Sequence, residues 1–366
     1  MARIWLIDIE SVETRYTKQW KTFFPALLRK NNHEVFVVEG PTDIPNATTP
    51  GAFLNFGGTN IYKANQIEQI SRAFTTGKVH EGDHIIFTDA WHPGITNIKY
   101  MSELLGIKVI THALWHAGSY DPQDFLGRLI NNAPWVRHAE KSFFHSYDHN
   151  YFATDFHVKL FFDELLLDGN NEPTDMYNEA YNNRFNNGKI VRCGWPMEYV
   201  RKELEVFKDM TKRNLILFPH RVAPEKQPEI FLDLKDTLTQ YEFEICMDKN
   251  YSKQEYYNAL GEAKLVFSAN LQETLGISWY EGALVGTLPM VPDRLSYTEM
   301  DNTGKFLYPS EWTESFVSYK EHKDEIVARI IDYMENYDNY LVDLNKLATQ
   351  LNDNYFSCKN LLEKLQ

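Results

Sequence analysis

Four charged side chains lie where chemistry on phosphates and sugars would need them. In HRVAPEK (220–226), Arg221 and Lys226 stand five apart, directly after the apolar run LILFP. Arginine offers a planar fork of donors and lysine a compact charge, a pairing suited to a diphosphate. In ETLGISWYEGALVGTLPMV (273–291), Glu273 and Glu281 stand eight apart with Gly276 between them. Leu275, Ile277, Trp279 and the run Ala283, Leu284, Val285 predict a short helix that ends near Gly286 and leads into a buried strand, LPMV. Glu281 then lies about two turns inside the helix, and Glu273 precedes it. The helix start falls within 274–276, where Thr274, Leu275 and Gly276 would present backbone N–H groups to an anion. A carboxylate at Glu281 could accept two ribose hydroxyls. Taken singly, each pair also reads as ordinary solvated or helix-terminal charge.

The elements that must position these residues alternate between strand and helix patterns, which predicts an α/β protein with mostly parallel sheets. RIWLIDI (3–9) and HEVFVVEG (33–40) read as strands flanking a helix over about 15–31. DHIIFTD (83–89), KVITHAL (108–114), KSFFHS (141–146) and IVRCGWP (190–196) read as further strands, with a helix near 62–76. A charged helical connector, MEYVRKELEVFKDMTKRN, precedes a second alternation. In that half LILFPH (215–220), EFEICMD and KLVFSAN are strands, with helices near 225–239 and 252–263. Open parallel sheets bind ligands beyond the C-terminal ends of their strands, and both charged pairs fall there.

Length allows two domains with separate cores. The 366 residues carry a formal charge of −14, which argues against polyanion binding over the whole surface. No run approaches the roughly 20 apolar residues of a membrane span. The opening MARIWLIDIE lacks a signal-peptide pattern. Cys193, Cys246 and Cys358 are too few and too dispersed for a disulfide framework or a zinc site. The expectation is a cytoplasmic protein, in the host cytoplasm if a phage encodes it.

Arg221 and Lys226 followed by Glu273, seven residues and Glu281 give the chain its resemblance to retaining nucleotide-sugar glycosyltransferases of the GT-B fold, above all their fourth family. That resemblance implies two facing Rossmann-like domains with a C-terminal helix crossing back to the first. The domains would be 1–205 on the acceptor side, 206–345 holding the nucleotide sugar, and 346–366 as the returning helix. It implies that Arg221 and Lys226 grip the donor diphosphate, that Glu273 lies near the donor sugar and that Glu281 binds the ribose. The donor would be a UDP-sugar used as substrate, with no tightly bound cofactor. Asp-x-Asp, the metal-binding motif of another transferase fold, does not occur, so no metal is implied. Relatives carry a glycine-rich turn after the first strand, whereas this chain has DIESVETRYTKQW.

In the N-terminal half, His112 ends the strand KVITH and resembles the histidine that faces the donor sugar in relatives. His116, Asp121 and Asp89 are further candidates near strand ends. Arg15, Lys18 and Lys21 recur every three residues and would form a basic strip along the first helix. LVGTLPMV and AEKSFFHSYDHNYF resemble stretches of bacteriophage DNA α-glucosyltransferases, which implies a hydroxymethylated pyrimidine in DNA as acceptor. A glycan, lipid or protein acceptor stays open, as do a nucleotide-sugar epimerase and a non-catalytic sugar-nucleotide-binding protein.

Overall fold

The apolar runs assemble into two sheets in which every strand runs parallel to its neighbours. The structure, a computed structural model, describes residues 1–12, 15–48, 54–130, 133–167 and 174–366. Glu13 and Thr14, in the glycine-free segment after the first strand, lie outside the described residues, as do 49–53 of the loop that follows the second. The chain divides into one unit of Met1–Pro196 with Cys358–Gln366, and another of Met197–Ser357.

The first unit holds β1 (Arg3–Ile7), β2 (Glu34–Val38), β3 (His84–Phe87), β4 (Ile110–Leu114), β5 (His149–Phe152) and β6 (Ile190–Arg192), in the order β2-β1-β3-β4-β5-β6. Ile4, Leu6, Ile85, Ile86 and Phe87 are all fully buried, as strands covered by helices on both faces must be. The helix Tyr16–Lys30 buries Thr17, Trp20, Phe24 and Leu28, one face at helical spacing. The second unit holds β7 (Arg213–Phe218), β8 (Glu242–Ile245), β9 (Ala263–Phe267), β10 (Leu288–Pro292) and β11 (Leu307–Tyr308), in the order β11-β10-β9-β7-β8. In each sheet the first strand sits between the second and the third. The winding direction reverses there, leaving a crevice at the strand C-terminal ends where doubly wound folds take ligands. The first unit's switch point lies between β1 and β3, the second's between β7 and β9.

Two expectations need correction. KSFFHS is not a strand but the end of the helix Pro134–Ser146, whose buried positions Val136, Glu140, Phe143 and Phe144 follow a helical period. The segment AEKSFFHSYDHNYF thus runs from the end of this helix into β5. The units divide at 196/197 and 357/358 rather than at 205/206 and 345/346. The charged helix Glu198–Leu204 and most of the C-terminal helical segment therefore belong to the second unit. Only Cys358–Gln366 returns to the first, where Asn360 Nδ2 donates to the Arg192 carbonyl at the end of β6 (2.9 Å). No described helix is long and apolar enough to cross a membrane.

Candidate functional site

The second unit's switch point is sewn together by main-chain and side-chain bonds between the loops after β7 and β9. Leu271 N donates to Glu225 O (2.8 Å), and Gln227 Nε2 donates to the carbonyls of Ala269 and Thr313 (2.7 Å each). Pro224 opens the single 3-10 turn Pro224–Lys226, a position where its missing N–H costs nothing. That turn carries Lys226 inward. Its ammonium donates to the Gln272 carbonyl and stands 3.6 Å from Glu273 Oε2. Burial pulls the Lys226 ammonium below the ordinary lysine range, against the opposing pull of Glu273. Arg221 is half-buried and pairs through Nε with Oε1 of the buried Glu225 (2.8 Å).

Glu273 Oε1 accepts the amides of Thr274 (3.1 Å) and Leu275 (3.3 Å). The carboxylate therefore bridges Lys226 and the amino end of the helix Ile277–Leu284, whose N-cap residue is Gly276. Gly276 has φ +80, and a Cβ there would lie 2.8 Å from Tyr297 Cε1. Backbone strain and lack of space both require glycine at this position. Glu281 is 3% exposed and already bonded on both oxygens, to Lys253 Nζ (2.8 Å) and Tyr256 OH (3.0 Å). Each oxygen keeps a second lone pair.

Sequence reasoning missed Lys253 and Tyr256, which come from the preceding helix Lys253–Glu262 and meet Glu281 only through the fold. It also missed His220 Nε2, Asn270 Oδ1 and Trp279 Nε1, three buried polar atoms with no hydrogen-bond partner among the described residues. Burial, with Lys226 and Arg221 nearby, keeps His220 neutral. Among the described residues no group of three or more His, Cys, Asp or Glu is placed to hold a metal ion.

No protein-family model and no curated protein matches this sequence. Solved structures do match it. The catalytic domain of starch synthase IV from Arabidopsis thaliana, bound to ADP and acarbose, superposes with a TM-score of 0.60 at 9% identity, over 100% of this chain and 98% of that one. A glycosyltransferase from Rickettsia africae gives 0.58 at 13% identity, over 100% and 97%. The pneumococcal O-GlcNAc transferase GtfA, in complex with UDP and GlcNAc, gives 0.57 at 11% identity, over 99% and 97%. The chain has the GT-B fold. At such low identity the likeness establishes that fold and nothing finer.

In the first unit of this GT-B chain the expected residues are placed unevenly. His112 does not end its strand: β4 runs on to Leu114 and His112 is fully buried within it. Its Nε2 meets His84 Nδ1 and its Nδ1 meets Tyr151 OH, both at 2.8 Å. Burial, with His149 and His84 alongside, pulls its pKa well down. It is a satisfied core histidine. His116, two residues beyond β4, does sit at the strand end. Its Nε2–H donates to the Thr88 carbonyl (2.7 Å), so its Nδ1 accepts from Tyr16 OH (2.6 Å), and its ring packs on Trp195. Burial lowers its pKa to about 4.

Asp89, just past β3, pairs with Lys63 Nζ (3.1 Å) and accepts the Trp91 amide (3.1 Å). Burial would raise its pKa, but Lys63 and His116 hold it below the usual carboxylate range. Asp121 Oδ1 accepts the Gln123 amide (2.9 Å), a local turn bond. The basic strip does not form as expected. Lys21 turns to Asp8 Oδ2 (3.2 Å) and Glu39 Oε2 (3.7 Å), Arg15 lies over the Tyr16 ring, and Lys18 is exposed.

Proposed function

We propose that the protein transfers a sugar from a nucleotide-diphosphate sugar, with UDP as the nucleotide, to an acceptor hydroxyl with retained anomeric configuration. One observation carries this reading: Lys226, Glu273 and the amino end of the helix Ile277–Leu284 are joined at the switch point of the second sheet. A lysine held by a carbonyl and a carboxylate 3.6 Å away can turn to a diphosphate that offers it more charge. Arg221 and Lys226 would neutralise the leaving diphosphate as its charge grows, with the helix amides completing the cradle. Glu273 would face the donor sugar, and the spare lone pairs of Glu281 would take the ribose hydroxyls. Asn270 Oδ1 and Trp279 Nε1 supply an acceptor and a donor that the fold leaves unspent. No covalent nucleophile is needed, because departure and attack can share one face of the sugar within this cradle.

Two acceptor classes follow from the sequence, hydroxymethylated pyrimidines in DNA and a glycan, lipid or protein hydroxyl. Pairing of Lys21 with Asp8 and Glu39 removes a member of the strip that DNA would need, which favours the second class.

The reading is tested by incubating the protein with a panel of nucleotide sugars, with and without acceptors. Release of nucleoside diphosphate that requires acceptor is the expected result. Interconversion of the donor sugar would mark an epimerase, and binding without turnover a non-catalytic protein.

A further inference from the structure

The turn that carries Lys226 inward is held in a conformation its sequence resists. Gln227, the next residue, has φ +51 and ψ +54, in the left-handed region. Of the other three non-glycine residues described with positive φ, Asn32 and Asn250 are asparagines, which tolerate it; Gln227 lacks their short polar side chain. It also precedes Pro228, and the residue before a proline is pushed toward extended backbone. Backbone of this kind persists only where its surroundings over-determine it.

Those surroundings are a knot of four loops, all in the second unit. Gln227 is 3% exposed, and both hydrogens of its amide are used, on the carbonyls of Ala269 and Thr313. Arg294, on the loop after β10, donates through Nη2 to the same two carbonyls, at 2.9 and 3.1 Å. Its Nε reaches Asn270 O (2.7 Å) and its Nη1 reaches Ser310 O (3.0 Å). Leu295, beside it, has the remaining positive φ, +59. Three consecutive residues of the loop after β7 also meet the loop after β9: Glu225 through Leu271 N, Lys226 through Gln272 O and Gln227 through Ala269 O. The knot is thus tied next to Lys226 and shortly before Glu273.

The chemistry of the knot selects an amide. Two converging carbonyls accept and cannot donate, so the side chain between them must donate twice. We infer that Gln227, backed by Arg294, is a positioning residue: its side chain holds the left-handed turn that keeps Lys226 beside Glu273, where a donor diphosphate would bind. Freed of that tether, a residue with a Cβ would relax toward the extended backbone that Pro228 favours and carry Lys226 away. The inference rests on the donor reading of this site and gives Gln227 no contact with the ligand.

Calorimetry with UDP on the full chain tests it, with thermal melts alongside. Gln227→Met fills much of the same space, removes the tether and keeps the strain, so UDP affinity should fall tenfold or more. Gln227→Gly removes tether and strain together, since glycine is at ease in the left-handed region, and should lose threefold or less. A side chain that only filled space would give the opposite order. In a Lys226→Met background, Gln227→Met should cost less than twofold further, the non-additivity of residues that act one through the other. Should Gln227→Met fold poorly, Gln227→Ala, smaller and equally strained, carries the test with the same tenfold loss expected. Glycine equal to or worse than methionine would overturn the inference, as would additive losses in the Lys226→Met background. The two readings fail differently. An unaltered protein that does not bind UDP sinks the donor reading and the inference with it, whereas UDP bound equally by the parent and Gln227→Met sinks the inference alone.

Discussion

At the second unit's switch point, opposite charges and main-chain bonds tie the loops after β7 and β9 to each other, and what they gather is mostly donor: a buried lysine, itself held by Gln272 and Glu273, and a helix's amino end. At the first unit's switch point, with the same placing of the first strand between the second and third, two lysines, Lys21 and Lys63, stand among three carboxylates, Asp8, Glu10 and Asp89. One topology thus carries two crevices of opposite appetite. Strand order determines where a ligand can sit, and loop residues determine which charge it must have.

The largest effect should come from the buried cation of the second crevice. Lys226→Met removes a group aimed at developing charge, and such groups are worth about 10²–10³-fold in rate. That is a loss of about 3–4 kcal/mol in transition-state stabilisation. It should appear in kcat as well as in kcat/KM, measured by nucleotide release. Lys63→Met, its counterpart in the first crevice, should instead raise the KM for acceptor and leave turnover at saturating acceptor much closer to the parent. Equal losses of kcat in the two variants would erase the contrast between the crevices.

The two units should also part company in acid. In the first, burial lowers the pKa of His92 and His157 to about 3 each, and His84 and His112 shift the same way. A histidine whose folded pKa lies below its unfolded value binds more protons when unfolded, so stability is lost as pH falls through about 6.5. Between pH 7 and 5.5, His92 and His157 each remove about 1 kcal/mol. Asp8 works the other way: burial raises it to about 6, so its protonation favours the fold as pH drops from there toward 3.8. Over the upper part of the window the histidines act without that offset. The second unit has a single buried histidine of this kind, His220. Hydrogen exchange read by mass spectrometry at pH 5.5 should therefore find the β3–β5 region opening before β7–β10. The reverse order would refute the assignment of these imidazoles as neutral.

The second crevice was largely legible in the sequence, and the reason is local. Arg221 and Lys226 lie on one loop, Glu273 and Gly276 on another, and each loop directly follows an apolar strand. Spacing along the chain therefore came close to predicting position in space. The first crevice was not legible to the same degree. Glu10 meets Thr59 across 49 residues and Lys21 meets Asp8 through the start of a helix, so no short window contains either pairing. His112 was misplaced because KVITH alone ends on the histidine, although the apolar pattern KVITHAL (108–114) continues two residues farther, as β4 does, and makes the histidine a strand centre. KSFFHS failed for a related reason. Two adjacent phenylalanines suit a strand as well as a helix, and only Val136 and Glu140 upstream reveal the helical period.

The smallest effect sharpens the contrast from the side of charge. Lys18 and Lys21 lie three apart on one helix, yet Lys18 is exposed and Lys21 is held between Asp8 and Glu39. Lys18→Ala should change stability by no more than about 0.5 kcal/mol, as surface substitutions do. Lys21→Ala should cost more, about 1–2 kcal/mol, because Asp8 keeps its bonds from Tyr62 and Gln66 but loses its cation. If the helix served as a basic strip for nucleic acid, each variant would also lower the salt dependence of turnover by about one charge. An acceptor that is not a polyanion predicts no change in salt dependence for either variant, and a Lys21 effect confined to folding. Turnover at 50 and 200 mM salt, set beside thermal melts of the two variants, decides between a lysine that recruits a polyanion and one that only holds Asp8 in place.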